Sequence, residues 1–313
     1  MRRWSPRKKL ALGLLFVAFV ACAIGFVSFV LQPFWYFERL GKLLLRNAGL
    51  ERATLDGPRG RLIYFRGGSG ETLVLIHGAN DQAGAWSLVA RPLVQGRRLL
   101  VPDLPGHGES EPRRGSLGPA DLIAGVERLL DAEVGSGRAT LLGNSLGGWL
   151  ALVYAARHPE RVAHVILLNG AAIRSAPAVG INLLPKTREE AARALDMLTD
   201  PATPRAPGFV LDAMVRRAPA SPLARLYEAP VDESLFLDDR LQGLRIPVSL
   251  IWGESDRLMP PAYAEETRAR LPAARVQLLP RCGHVPQREC PEAAVAAIER
   301  ALREPPAAGP KED

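Results

Sequence analysis

An unbroken apolar run opens the hydropathy pattern: Leu10 to Leu31 is 22 residues without a charge. As a helix rising about 1.5 Å per residue it spans roughly 33 Å, enough for the hydrocarbon core of a bilayer. Arg2, Arg3, Arg7, Lys8 and Lys9 precede it, and Phe34-Trp35-Tyr36-Phe37 follow as an interfacial aromatic belt. A cleaved signal peptide is the competing reading, because Ala21-Cys22-Ala23 resembles a small-residue cleavage site. Signal-peptide cores are only about 7–15 residues long, however, and this run continues past Ala23. Phe19-Val20-Ala21 before Cys22 is a poor match to a lipoprotein signal. The expectation is an uncleaved single transmembrane anchor (10–31) after a basic flank (1–9), with a juxtamembrane connector at 32–51. There Leu40, Leu43, Leu44 and Ala48 fall near helical spacing, which suits a short interfacial helix or an ordinary amphipathic connector equally.

From about residue 52 the pattern changes to short β-branched or Leu-rich runs alternating with helical periodicity. Strands are predicted at Arg61–Arg66, Thr72–Ile76, Arg98–Pro102, Ala139–Gly143, Ala163–Leu168, Val248–Trp252 and Arg275–Leu279. Helices are predicted at Gly84–Val94, Pro119–Val134, Leu146–His158, Pro261–Leu271 and Pro291–Arg303. This alternation predicts an α/β fold, a mostly parallel sheet with helices on both faces. It fails between Ile173 and Leu244, where helical segments (Arg188–Leu198, Phe209–Ala218) occur without a convincing strand. A stretch this long is no simple loop in a compact domain. The chain thus divides into a core at 52–172 and 245–303, a helical cap or lid at 173–244, and a disordered Pro-rich tail at 304–313.

Charge alters the picture only once it is located. The formal net charge is +7, yet the first fifty residues hold eight Lys/Arg and one acid, which accounts for all of it. The remaining 32 basic residues are matched by 32 acidic ones, so the basic balance reports membrane topology and not nucleic-acid binding. The dense N-terminal cluster places the N-terminus in the cytoplasm and the globular part across the membrane, although Arg39, Lys42 and Arg46 on the far side pull the other way. Three cysteines make no disulfide framework; Cys282 and Cys290 are close enough in sequence to pair if their geometry allows. No Cys/His spacing suggests a zinc site.

The chemistry concentrates at four places. Gly143-Asn144-Ser145-Leu146-Gly147 joins the strand around Leu141 to the helical run from Trp149. A serine on such a sharp strand-to-helix turn stands clear of its surroundings, and the helix N-terminus favours developing negative charge. His77-Gly78-Ala79-Asn80 follows the strand ending at Ile76. Backbone N–H groups of Leu146 and of Ala79 (or Asn80) are candidate oxyanion donors, with His77 read as ordering the loop. His284, between the last strand and the last helix, is the candidate base, and Asp256, after the strand ending at Trp252, its orienting acid. Glu254 is the rival acid; Asp103 comes too early in the order Ser, Asp, His.

These motifs, with Asp103-Leu104-Pro105-Gly106-His107-Gly108-Glu109-Ser110, Gly253-Glu254-Ser255-Asp256 and Gly283-His284, make residues 60–303 resemble the α/β-hydrolase superfamily. The resemblance implies that Asp103 and His107 belong to a structural loop and that the 173–244 insertion is the lid. Ser145 in place of an aspartate nucleophile sets the chain apart from epoxide-opening and halide-removing members. The layout is similar to membrane-bound monoacylglycerol lipases and esterases. It implies Ser145, His284 and Asp256 acting through an acyl-enzyme on a lipophilic carboxylic ester, with no metal or organic cofactor. Carbon–carbon, thioester or amide hydrolysis, or ligand binding without turnover, are the competing readings; the sequence does not give the oligomeric state.

Overall fold

The computed structural model describes residues 6–171, 173–174, 182–230 and 235–306. Most of the basic flank and of the C-terminal tail expected to be disordered lie outside those residues. Among the described residues an eight-stranded sheet runs in the order β1-β2-β4-β3-β5-β6-β7-β8. The strands are β1 (Glu51–Leu55), β2 (Leu62–Gly68), β3 (Glu71–Ile76), β4 (Arg97–Pro102), β5 (Ala139–Asn144), β6 (Val162–Leu168), β7 (Val248–Gly253) and β8 (Arg275–Leu279). β1–β2 and β2–β4 pair antiparallel and every later neighbour is parallel. β1 escaped the sequence reading for a physical reason. Glu51-Arg52-Ala53-Thr54-Leu55 is an edge strand, mostly solvent-exposed, and needs no apolar alternation.

Central strands are apolar on both faces, as parallel strands covered twice must be. Val74, Ile76, Leu141, Val165, Leu167 and Leu250 point into one core, closed by α4 (Pro119–Glu133) and α5 (Leu146–Arg157). Leu73, Leu75, Leu142, Ile166, Leu168 and Ile251 point into the other, closed by α3 (Ser87–Leu93) and α11 (Pro291–Arg303). Between β6 and β7 lie α6 (Arg188–Leu198), α7 (Gly208–Arg217) and α8 (Pro222–Tyr227). α9 (Ala262–Arg270) and the single turn α10 (Pro286–Glu289) complete the C-terminal part.

The N-terminal segment differs most from the simple expectation. α1 (Pro6–Leu31) contains one stretch, Leu12–Leu31, long and apolar enough to cross a membrane, with none of it buried. The helix breaks at Gln32 (φ −134°, ψ 54°), and Pro33 starts α2 (Pro33–Asn47) with a residue that lacks the N–H the first turn cannot use. α2 lies against the core instead of only leading up to it. Leu45 is fully buried in the second core, a burial that contributes about 2 kcal/mol. Gly41 crosses the chain at Gly84 so closely that a Cβ there would sit 3.0 Å from the Gly84 Cα. Lys42 reaches the buried Asp103 at 3.3 Å and Glu109 at 2.9 Å. α7 also touches this segment: Arg216 donates to the Leu31 carbonyl, Arg217 pairs with Glu38 at 2.7 Å, and Phe209 meets Phe29 edge-on.

Candidate active site

β3 connects outward to β4, whereas β5 lies on the opposite side of β3. In open parallel sheets, the carboxyl ends of strands at such a reversal form the crevice where ligands bind. The loop after β3 carries His77 to Asn80, and the turn after β5 carries Ser145.

Ser145 adopts φ 52° and ψ −119°, left-handed backbone that a serine enters only when its surroundings impose it. They do so through hydrogen bonds and close packing. The Ser145 N–H donates to the Leu168 carbonyl (3.1 Å), and its own carbonyl accepts from the Gly148 and Trp149 N–H groups. A Cβ at Gly143 would lie 2.2 Å from the Gly147 oxygen, and one at Gly147 would lie 2.1 Å from the Ile76 oxygen. Both glycines flanking the serine are therefore required by close backbone approach. Ser145 remains partly exposed at the N-terminus of α5, where the first N–H groups, those of Leu146 and Gly147, precede any carbonyl of the helix that could accept them.

His284 is nearly buried, and its Nδ1 lies 2.7 Å from Asp256 Oδ2. The Nδ1–H is thus the donor, which leaves Nε2 as the unprotonated nitrogen of the neutral ring. Asp256 is 1% exposed, and four N–H groups converge on it. Leu258 and Met259 backbones donate to Oδ1 (3.0 and 2.8 Å), and Asn169 Nδ2 (2.6 Å) joins His284 on Oδ2. Glu254 is exposed, and its position brings it no such partners.

The loop after β3 packs directly on the serine turn: a Cβ at Gly78 would lie 3.3 Å from the Ser145 Cβ. Ala79, partly exposed, follows. His77 is fully buried; its Nε2 accepts from the Leu104 N–H (3.0 Å), and its Nδ1 donates to the Gly78 carbonyl (2.8 Å). Burial pushes its pKa down to about 4, so the ring is a neutral strut between two loops. His107, 5.2 Å away, is likewise pushed down to about 3, first by burial and then by His77. Asp103 accepts from the Ala83 and Glu109 N–H groups and orders the same region.

Two neighbours of the site, Asn144 and Arg288, were given no role by the sequence. Asn144 donates to the Leu168 and His284 carbonyls (2.9 and 3.0 Å) and accepts from Gln287, so it ties the turn of Ser145 to the loop of His284. Arg288 pairs with Asp81 at 2.6 Å and links that loop to the one bearing Ala79. Cys282 and Cys290, a pairing that the sequence left open, form a disulfide that closes the His284 loop. A lone Asn or Arg in a loop is indistinguishable in sequence from a solvated one, because its partners come from other strands and loops of the folded chain. Asn80 accepts from the Leu223 N–H (2.9 Å) and thereby joins the same loop to α8. Among the described residues no group of three or more His, Cys, Asp or Glu side chains is placed to hold a metal ion.

Residues 73–298 match the family model described as the alpha/beta hydrolase family. Among solved structures the chain is similar to a membrane phospholipase A, described as a bacterial virulence factor. The identity is 28%, the TM-score 0.72, and the match covers 95% of this chain and 98% of that one. It is also similar to a thermophilic esterase of Thermogutta terrifontis, with 25% identity and a TM-score of 0.67, over 81% of this chain and 98% of that one. A 2-hydroxy-6-oxononadienedioate/2-hydroxy-6-oxononatrienedioate hydrolase of Burkholderia vietnamiensis is 30% identical over 75% of this chain and 88% of its own length.

Proposed function

The chain belongs to the alpha/beta hydrolase family, and from that premise we propose that it is a membrane-anchored serine hydrolase that cleaves a carboxylic ester of a lipid. Ser145 is the nucleophile, His284 the base and Asp256 the acid that orients it. The observation that carries this reading is the 2.7 Å bond from His284 Nδ1 to Asp256 Oδ2, in a loop that Asn144 clasps beside Ser145. His284 Nε2 takes the Ser145 proton as its oxygen attacks the ester carbonyl. The Leu146 and Ala79 N–H groups receive the oxyanion, the alcohol departs with the proton, and an acyl-enzyme remains. Water, deprotonated by His284, then attacks the acyl carbon and releases the acid.

A lipid substrate is supported by the apolar stretch Leu12–Leu31 and by the extent of one likeness. The match to the membrane phospholipase A covers 95% of this chain, which leaves too few residues outside it to omit α1. In this reading α1 is the anchor, and the helices between β6 and β7 form a lid over Ser145. The N-terminal cations favour a cytoplasmic N-terminus. The Cys282–Cys290 disulfide favours a catalytic domain on the oxidising side of that membrane.

A second reading, carbon–carbon bond hydrolysis, draws on the 30% identity to the Burkholderia enzyme. The test is full-length protein in vesicles, wild type against Ser145→Ala, offered lysophospholipid, monoacylglycerol and a ring-cleavage dienoate. Fatty acid released by wild type alone supports the ester reading. Turnover of the dienoate alone overturns it.

A further inference from the structure

Asn169 stands immediately after β6, between the strand that delivers Ser145 and the strand that delivers Asp256. It is fully buried and adopts φ 51°, left-handed backbone that costs a non-glycine residue free energy. Its backbone N–H donates to the Ile251 carbonyl (3.0 Å), and its Oδ1 accepts from the Gly253 N–H (3.2 Å). These two bonds fix the amide on β7 and determine which way it faces. With the oxygen committed to an N–H donor, Nδ2 must be the atom turned to Asp256 Oδ2, at 2.6 Å. That oxygen is the one that accepts from His284 Nδ1.

We infer that Asn169 is a positioning residue for the acid–base pair: its amide holds Asp256 Oδ2 in line with His284 and shares the charge that would otherwise fall wholly on the imidazole. The inference rests on the proposed roles of Ser145, Asp256 and His284. Its physical content is a competition between two donors for one carboxylate oxygen. An Asn169 donor makes that oxygen a weaker acceptor, so it stabilises an imidazolium less. Without the donor, the carboxylate stabilises the imidazolium more, and Oδ2 is restrained only through the Leu258 and Met259 N–H groups on Oδ1 and through His284 itself.

Other charged groups around the pair are committed elsewhere. Asp200 bonds Ser255, Glu289 accepts from the Gly283 N–H and from Thr203, Arg257 donates to the Asp196 and Thr199 carbonyls, and Arg288 pairs with Asp81. The neutral rings of His77 and His107 stand behind the loop of Ala79. Arg281 lies one residue before Cys282 on the loop of His284. None of these contacts involves Asn169, so a difference between variants is expected to report the Asn169 contact.

The test is the rate of fluorophosphonate labelling against pH for detergent-solubilised full-length protein, as wild type, Asn169→Ala, Asn169→Gly and Ser145→Ala. Asn169→Gly accepts the left-handed backbone at this position without cost and loses the donor, and it decides the matter if Asn169→Ala does not fold. Both variants should label about tenfold more slowly on the plateau, with the acidic limb raised by about half to one pH unit. A lower melting temperature with an unmoved acidic limb would make Asn169 merely structural and overturn the inference while wild type still labels at Ser145. Failure of the folded wild type to label would remove the proposed roles themselves.

Discussion

Replacing Lys42 by methionine keeps most of the aliphatic stem and removes the cation that α2 inserts beside Asp103. The two charges are 3.3 Å apart, and the Asp103 side chain is wholly buried while that of Lys42 is 12% exposed. At an effective dielectric constant of about 20, their attraction is about 5 kcal/mol. Three features reduce the loss. Asp103 keeps its bonds from the Ala83 and Glu109 N–H groups (both 2.7 Å), the desolvation cost of the mostly buried ammonium disappears with it, and its second partner, Glu109, is 44% exposed and screened by water. A net cost of about 3 kcal/mol remains, which for a domain of this size lowers the melting temperature by about 6–10 °C. The assay is thermal unfolding of full-length protein in one detergent, with Lys42→Met, Asp103→Asn and the double variant in a cycle. Coupling above about 1.5 kcal/mol is expected, since the two side chains are in contact. A Lys42→Met protein melting within about 1 °C of wild type would refute the argument and reduce α2 to a tether.

Asp256→Asn should lower turnover by about 10³–10⁴-fold with the fold intact, because the imidazole loses its tautomer, whereas Glu254→Gln should leave turnover near wild type; steady-state hydrolysis of a soluble ester compares them. The Cys282–Cys290 disulfide closes a short loop around His284, so the paired change to alanine should cost about 2–3 kcal/mol and slow labelling of Ser145. Unchanged melting and labelling would mean that Asn144 and Glu289 suffice to hold the loop. Burial depresses His77 and His164 to about 4 and His107 to about 3. All three are neutral in both states above about pH 6.5, but below it the unfolded chain binds protons that the folded chain does not. Stability should therefore fall as pH drops from about 6.5 toward 4, at about 4 kcal/mol per unit near pH 5. Denaturant titrations across that range check this, and a flat profile would contradict the neutral, buried rings.

Much of the fold was legible because it is written locally. Parallel strands such as β5 and β6 are short apolar runs bounded by helical periodicity, and Gly143 and Gly147 mark a turn that no other residues fit. β1 was illegible because an edge strand has no buried face to pattern. The core-packed face of α2 was hidden for a different reason: Leu45 and Lys42 look like any amphipathic helix until the Asp103 loop is brought beside them. At the site, Ser145, Asp256 and His284 stood out through the turns around them. Asn144 and Asn169 did not, since an asparagine acquires its meaning only from partners folded in from distant strands.

The central claim is that Ser145 is an activated nucleophile, and one measurement bears on it directly. Membranes containing the full-length protein, wild type or Ser145→Ala, are treated with a fluorophosphonate probe, and the labelled residue is mapped by mass spectrometry. The account predicts a single adduct on Ser145 in wild type and none in the variant. Equal labelling of both proteins, or no labelling of folded wild type, would contradict it.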